Sequence, residues 1–276
     1  MSWHAELELD YRLQAGRSVV RHRHSGPLRV LQSLYPEGDA ICHNVLVHPP
    51  GGLVGGDTLE IDIRVDTGAH ALLTTPGATR FYRCAEAPAR QRTRLRLASG
   101  ARAEWLPLEA LCYNGCLAEN RLLMELEHGA ELFGWDLSAL GLPHAGQPFA
   151  QGSLLQHLEV PGLWLERARI DAADTRLRDS PLGLAGNRCL GTLFFVAGAP
   201  LEPERRQQAL DLAREQIAAH PMARWAGATS PNNRLLLLRL LGPEVEPSLG
   251  LLRSVWSAWR GHFWQLAGAS PRIWAT

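Results

Sequence analysis

A strand that keeps ending at a Gly-Ala step constrains this chain more than any other feature. Leu59, Ile61, Ile63 and Val65 alternate with Glu60, Asp62 and Arg64, the period of a half-buried strand. Leu95 and Leu97 alternate with Arg94 and Arg96, and Leu122, Met124 and Leu126 repeat the pattern. The runs stop at Thr67-Gly68-Ala69, Ser99-Gly100-Ala101 and His128-Gly129-Ala130, and a weaker fourth copy reads Val160-Pro161-Gly162 before Leu163-Trp164-Leu165. Successive glycines are 32, 29 and 33 residues apart. Glycine accepts positive φ without steric cost, so each unit reads as strand, turn, strand. A period near 30 residues predicts a mainly β fold of stacked sheet layers, β-helix-like, in which each unit buries its face on the next. Regular hairpins in a β-sandwich space their turns evenly too, and the period does not separate the two.

The last third changes character. Pro203 opens EPERRQQALDLAREQIAAH with acidic residues beside it, and Leu210, Ala213 and Ile217 share one helical face before Pro221. Arg234–Leu241 is a short apolar strand closed by Gly242-Pro243. Leu249, Leu252, Trp256, Trp259 and Phe263 then recur every three or four residues, an amphipathic helix with an aromatic stripe. No low-complexity linker interrupts the chain, so residues 1–276 are expected to form one domain, with a few helices in the C-terminal third packed on a β framework.

Composition closes off several function classes. The 276 residues carry 28 basic and 28 acidic side chains and an isoelectric point near 7.2, which argues against general nucleic-acid binding. At 46% hydrophobic and 20% charged, the chain can build a core. No apolar run approaches the roughly 20 residues of a membrane helix. The N-terminus MSWHAELELDYR does not resemble a secretory signal, and five cysteines without a dense framework point to a reducing cytoplasm.

Catalytic and cofactor motifs are missing where they could stand. The loop His48-Pro49-Pro50-Gly51-Gly52-Leu53-Val54-Gly55-Gly56-Asp57 ends in a carboxylate and leads into a strand, whereas a phosphate loop needs Lys-Ser/Thr and a helix. Its glycines are expected to permit sharp turns or close approach to another strand. His22-Arg23-His24, Cys42-His43 and Cys112-x-x-x-Cys116 are short pairings, none matching a four-ligand zinc pattern. There is no Gly-x-Ser-x-Gly elbow, and Arg83 beside Cys84 is the one hint of an activated thiol. These residues read as a scaffold or binding protein.

Longer motifs narrow this further. The loop 48–57, then Leu72-Leu73-Thr74-Thr75-Pro76-Gly77-Ala78-Thr79-Arg80-Phe81-Tyr82-Arg83, Glu104-Trp105-Leu106-Pro107-Leu108-Glu109, Gly146-Gln147-Pro148-Phe149 and Pro271-Arg272-Ile273-Trp274 resemble, in order, the signature of the UreD (also UreH) urease accessory protein family. Leu142 and Gln147 stand where many members carry an arginine and a glutamate. The resemblance implies stacked β layers with a few helices and no enzymatic activity or permanently bound cofactor. It implies binding to UreF, which recruits the nickel-carrying GTPase UreG, and docking of the assembly on apo-urease. Ni²⁺ in transit would then follow a polar internal passage. A conduit must hold its ion weakly, through oxygen donors and water, because several imidazoles would trap it.

Candidate lining residues are the polar oxygens near these motifs: Asp57, Thr75, Thr79, Glu109, Asp136 and Glu166. Thr75 and Asp136 each lie seven residues after a repeat glycine, so stacking would align them. Trp256, Trp259, Phe263, Arg272 and Trp274 have the side chains of partner-binding hot spots. The competing expectation is a β-rich hydrolase or transferase, which requires a nucleophile, base and oxyanion donors in one pocket.

Overall fold

The repeat glycines are the corners of stacked coils. The computed structural model describes residues 2–84 and 86–275. β1 (His4–Gln14) pairs antiparallel with β2 (Arg17–Ser25), and a short β3 (Arg29–Val30) follows. The chain then winds through β4 (Ile41–Val47), β5 (Thr58–Val65), β6 (His70–Thr74), β7 (Thr79–Phe81), β8 (Ala89–Leu97), β9 (Arg102–Leu106), β10 (Ala110–Cys112), β11 (Cys116–Leu126), β12 (Glu131–Leu140) and β13 (Gly152–Val160). Strands β1, β5, β8, β11 and β13 pair in parallel in one sheet, and β4, β6, β9 and β12 in a second. The architecture is therefore β-solenoid-like rather than a hairpin sandwich.

Each corner uses one local solution. Gly68, Gly100 and Gly129 have φ of +71°, +70° and +79°. The following alanine donates back three residues, as Ala69 to Asp66, Ala101 to Ala98 and Ala130 to Glu127. Those alanines are buried and their carbonyls accept from the next coil, Arg102 N–H to Ala69 and Glu131 N–H to Ala101. Gly162 makes the same local turn, with Leu163 N–H on Val160, but β14 (Trp164–Asp171) doubles back antiparallel on β13 and ends the sheet. The fourth copy of the repeat is thus a hairpin and not another coil.

Beyond a short α1 (Thr175–Asp179), the second sheet grows antiparallel. β15 (Cys189–Ala197) pairs with β12, α2 (Pro203–Ala218) intervenes, then β16 (Ala226–Asn232) and β17 (Leu235–Gly242) extend the edge, and α3 (Val245–Trp264) closes the fold. The seven-stranded sheet is covered on one face only, so its strands alternate. Its outer face carries cross-strand pairs such as Arg92–Glu60 and Arg94–Glu125. Inward rows such as Leu9, Ile63, Leu95 and Met124 face the second sheet. The second sheet is buried on both faces, which is why β12 reads as a nearly continuous apolar run. Its far face packs Phe133, Trp135 and Phe195 against Leu210, Ala213 and Ile217 of α2 and the α3 stripe.

Trp256 and Trp259 are fully buried and Phe263 is 4% exposed. The aromatic stripe is core: Trp259 donates to the Ala209 carbonyl, and Phe263 stacks on Phe195 at 4.0 Å. As a partner surface these three residues are corrected by their burial, because the outer face of the second sheet needs a cover.

Candidate functional site

Between two sheets faced mainly with apolar side chains, one stretch is polar. The inward positions Gln91, Asn120 and Gln156 on β8, β11 and β13 lie in register on neighbouring coils. Thr93 occupies the next inward level, and in that same row Glu166 on β14 lies opposite Leu158. Asp136, Thr192 and Arg239 face them from β12, β15 and β17, again in register.

Asp136 is the centre of this polar row. Its carboxylate accepts from Asn120 Nδ2 at 2.6 Å, Gln156 Nε2 at 2.5 Å and Ser138 Oγ at 3.2 Å. Three neutral donors do not offset the loss of water: burial pushes the carboxyl up to about 6, with nearby Glu166 adding to the rise. Glu166 accepts from Thr192 Oγ1 at 2.9 Å and from Arg239 Nε at 2.8 Å. The Arg239 side chain is 48% exposed, so the row reaches solvent at that end.

At the other end lie two cavities. A pocket of about 240 Å³ sits under the glycine-rich loop, lined by Gly52, Thr75, Thr79, Arg80 and Gln91 among others. A second, of about 20 Å³ and roughly the room of one water, is lined by Thr79, Gln91, Thr93, Asn120 and Asp136. They share Thr79, Gln91, Trp105 and Pro107. The loop packs closely over this end: Leu53 exchanges backbone hydrogen bonds with Arg80 and Tyr82. A Cβ on Gly52 would strike the Tyr82 ring, and one on Gly55 would lie 2.7 Å from Cys84 Cβ. Close approach is what the glycines permit.

The six candidate lining residues separate. Thr79, Asp136 and Glu166 fall on the row or its cavities. Thr75 faces the larger cavity, but its hydroxyl accepts from Leu108 N–H and donates to the Gly77 carbonyl, which fixes a turn. Leu73, Trp105 and Gly134 are in register, and that register carried two residues on aligns Thr75, Pro107 and Asp136. Asp57 is buried with each oxygen taken by a backbone N–H, from Trp3 at 2.7 Å and Val54 at 2.9 Å. It ties the N-terminus to the loop. Glu109 lines neither cavity and has Arg253 and Cys189 as electrostatic neighbours.

Gln91, Asn120, Gln156 and Thr192 lie outside the residues that the motifs single out. Their signal is faint but present, a Gln, Asn or Thr at the inward phase of a strand whose other inward residues are aliphatic. A second buried polar cluster gathers around Glu104, which opens one of the quoted motifs but whose partners no sequence pattern indicates. Glu104 is fully buried and accepts from Trp256 Nε1 at 2.8 Å and Arg260 Nε at 3.1 Å, with His70 Nε2 at 2.9 Å. Arg260 reaches on to Glu37, whose other contact is His43. Burial alone would raise both carboxyls. The hydrogen bonds of His70 and His43, with Arg260, outweigh it and bring Glu104 below its usual range and Glu37 to about 2. This cluster fastens α3 to the second sheet.

Arg272 is exposed, while Trp274 donates to Thr74 Oγ1 at 2.8 Å and packs on Trp135 and Trp256. Leu142 and Gln147 bond to each other's backbone and close a small surface loop. Among the described residues no three His, Cys, Asp or Glu side chains come together as a metal cluster, and no helix is long and apolar enough to cross a membrane.

Residues 4–275 match the model of the family described as UreD urease accessory protein. Proteins named urease accessory protein UreD from a Polaromonas species and from Variovorax paradoxus are each 66% identical to the chain, with both sequences covered in full. One of that name from Methylibium petroleiphilum is 51% identical, again over the whole of both.

Proposed function

Because this chain belongs to the UreD urease accessory protein family, we propose that it is a non-enzymatic urease maturation factor that conducts Ni²⁺ into apo-urease, acting with UreF and, through UreF, UreG. The observation that carries the reading is Asp136: a buried carboxylate that meets amides and a hydroxyl and makes no ion pair among the described residues. An isolated buried charge is costly, and such groups are kept where they serve a function.

A divalent cation supplies the missing counter-charge. Asp136 attracts it, and the amides of Gln91, Asn120 and Gln156 rotate to turn carbonyl oxygens toward it. These are oxygen donors, so the ion keeps water and is not trapped. Arg239 at the exposed end pairs with Glu166, which leaves that carboxylate partly neutralised and suited to release rather than capture. Arg272 is exposed and Trp274 half-buried, so of the proposed partner surface Arg272 and the uncovered edge of Trp274 are what the core leaves available. The chain acts in the cytoplasm, where its five free thiols stay reduced. The hydrolase or transferase alternative gains no support from the row, where Ser138 meets Asp136 and, among the described residues, no imidazole.

The test is urease activation from purified apo-urease, UreF, UreG, GTP, bicarbonate and nickel, with this chain as wild type, Asp136→Asn or absent. Complex formation is followed by size-exclusion chromatography. The proposal requires the variant to assemble and fail to activate. Normal activation by Asp136→Asn defeats the passage, and activation without the chain defeats the maturation role.

A further inference from the structure

β14 closes the seven-stranded sheet and pairs only with β13, so its other side is an edge. The antiparallel ladder determines which groups face outward. Ala172 N–H donates to the Gly152 carbonyl, and the alternation from there gives Trp164, Glu166, Ala168 and Ile170 to β13. The N–H and C=O groups of Leu165, Arg167 and Arg169 therefore point away from the sheet, and no other backbone group among the described residues takes them. Exposed edges are commonly blunted by a proline or a bulge. The edge of the second sheet follows that rule, since β16 carries Pro231 and a register shift between Thr229 and Asn232. β14 has neither and keeps one register over its eight residues.

The side chains along this edge are also without partners. Arg167 and Arg169 are exposed and make no ion pair among the described residues. The nearby acids are committed elsewhere: Glu166 to Arg239 and Thr192, Glu159 to His157, and Asp171 to the Ala173 N–H. On β5 and β8 the outer face is charged and paired across strands, as in Arg92–Glu60 and Arg96–Asp62. Towards β14 it turns apolar. Leu165 is 60% exposed and lies in register with Glu159 and Leu123, and Leu155 lies beside Arg169.

We propose that β14 is the docking edge for an extended acidic segment of a partner protein, which adds to the sheet as a further strand. The outward backbone groups of Leu165, Arg167 and Arg169 supply its hydrogen bonds. Carboxylates two residues apart meet the two guanidiniums, and an apolar side chain two residues further covers Leu165. A second copy of this chain does not fit, because its own Arg167 and Arg169 would face these, and like charges directly opposite are destabilising. The inference does not need an ion to move along the polar row. It rests on the maturation reading only for the proteins that offer the segment. Glu166 of the same strand ends that row, so the docked strand lies along its exposed end.

The probe is a synthetic end-blocked peptide containing Glu-Val-Glu-Val-Leu, compared on the full-length chain with the same peptide carrying lysine for glutamate. The acidic peptide should bind roughly tenfold tighter and slow hydrogen exchange at the Leu165, Arg167 and Arg169 amides. Arg167→Gln removes a charge, whereas Arg167→Pro removes that charge and an outward N–H while leaving the β13 ladder whole. The proline variant should therefore lose more affinity than the glutamine variant, with an unchanged melting profile. Should the proline lower the melting point, Arg167→Glu/Arg169→Glu leaves the backbone alone and should prefer the lysine peptide. The variants are then mixed with UreF and with apo-urease and followed by size-exclusion chromatography, where Arg167→Pro should lose one of the complexes. Equal binding of the two peptides, or no protection of the three amides, leaves the arginines as edge guards only and overturns the inference. Wild-type assembly of Arg167→Pro with both proteins overturns it too, and leaves the maturation reading standing. A wild-type chain that assembles with neither removes both.

Discussion

Asp136→Asn should make the protein more stable and less useful at the same time. The carboxyl stands near 6 in the folded protein against an ordinary 3.8, because burial disfavours its charge. About two pH units at 1.36 kcal/mol each is about 3 kcal/mol of native-state cost once the group is ionised. Between pH 4 and 6 the folded state holds the extra proton, so stability from this group is full below about pH 4 and is lost as pH rises through 6. Asparagine has no charge to bury. Its amide would face Asn120 Nδ2, but Asn120 can flip its amide and present its oxygen, with Gln91 flipping in turn to offer its own oxygen to the Asn120 nitrogen. The measurement is the difference in thermal midpoint between variant and wild type across pH 4 to 7.5, which cancels every other titrating group. At about 2 °C per kcal/mol for a chain of this length, the difference should open from near zero to about 6 °C and flatten above pH 6.5. A flat difference refutes the buried charge. A stabilised variant that assembles yet fails to activate urease shows the carboxylate serving function at the expense of stability.

Other perturbations test the frame around the row. Arg260→Met leaves Glu104 buried without its guanidinium and should cost about 3–5 kcal/mol, read as a lower urea midpoint. Glu37, now near 2, stabilises above about pH 4.5 and gives this up as pH falls toward 2, so the same variant should also unfold at higher pH on acid titration. Gly152 has φ +98° and no room for a Cβ against the backbone of Cys116, so Gly152→Ala should yield insoluble protein. Gly100→Ala, at φ +70° in open space, should cost about 1 kcal/mol and fold normally. Equal melting of the two glycine variants would contradict the corner geometry.

Much of the framework was legible because its determinants are local. A positive-φ turn after an alternating strand needs only neighbouring residues, and Gly68, Gly100 and Gly129 announce it. The same holds for α2, started by Pro203, and for the apolar face of α3. Gly162 shows the limit: its turn is as local as the others, but whether the next strand crosses to the second sheet or folds back depends on what pairs with it. The aromatic stripe shows another, since periodicity reveals a face to be covered without saying what covers it.

The site divides along the same line. Asp57 and Asp136 look alike in one dimension, both acids beside family motifs. One is spent on the N–H groups of Trp3 and Val54, while the other gathers amides from β11 and β13. The sequence by itself determined the coil corners, the strand phase and the helices, because each follows from φ preference or the burial of apolar side chains within a few residues. Only the tertiary structure decided which polar residues share an interior. Gln91, Asn120, Asp136 and Gln156 come from different turns of the chain, and the energy of a buried charge depends on what surrounds it in space.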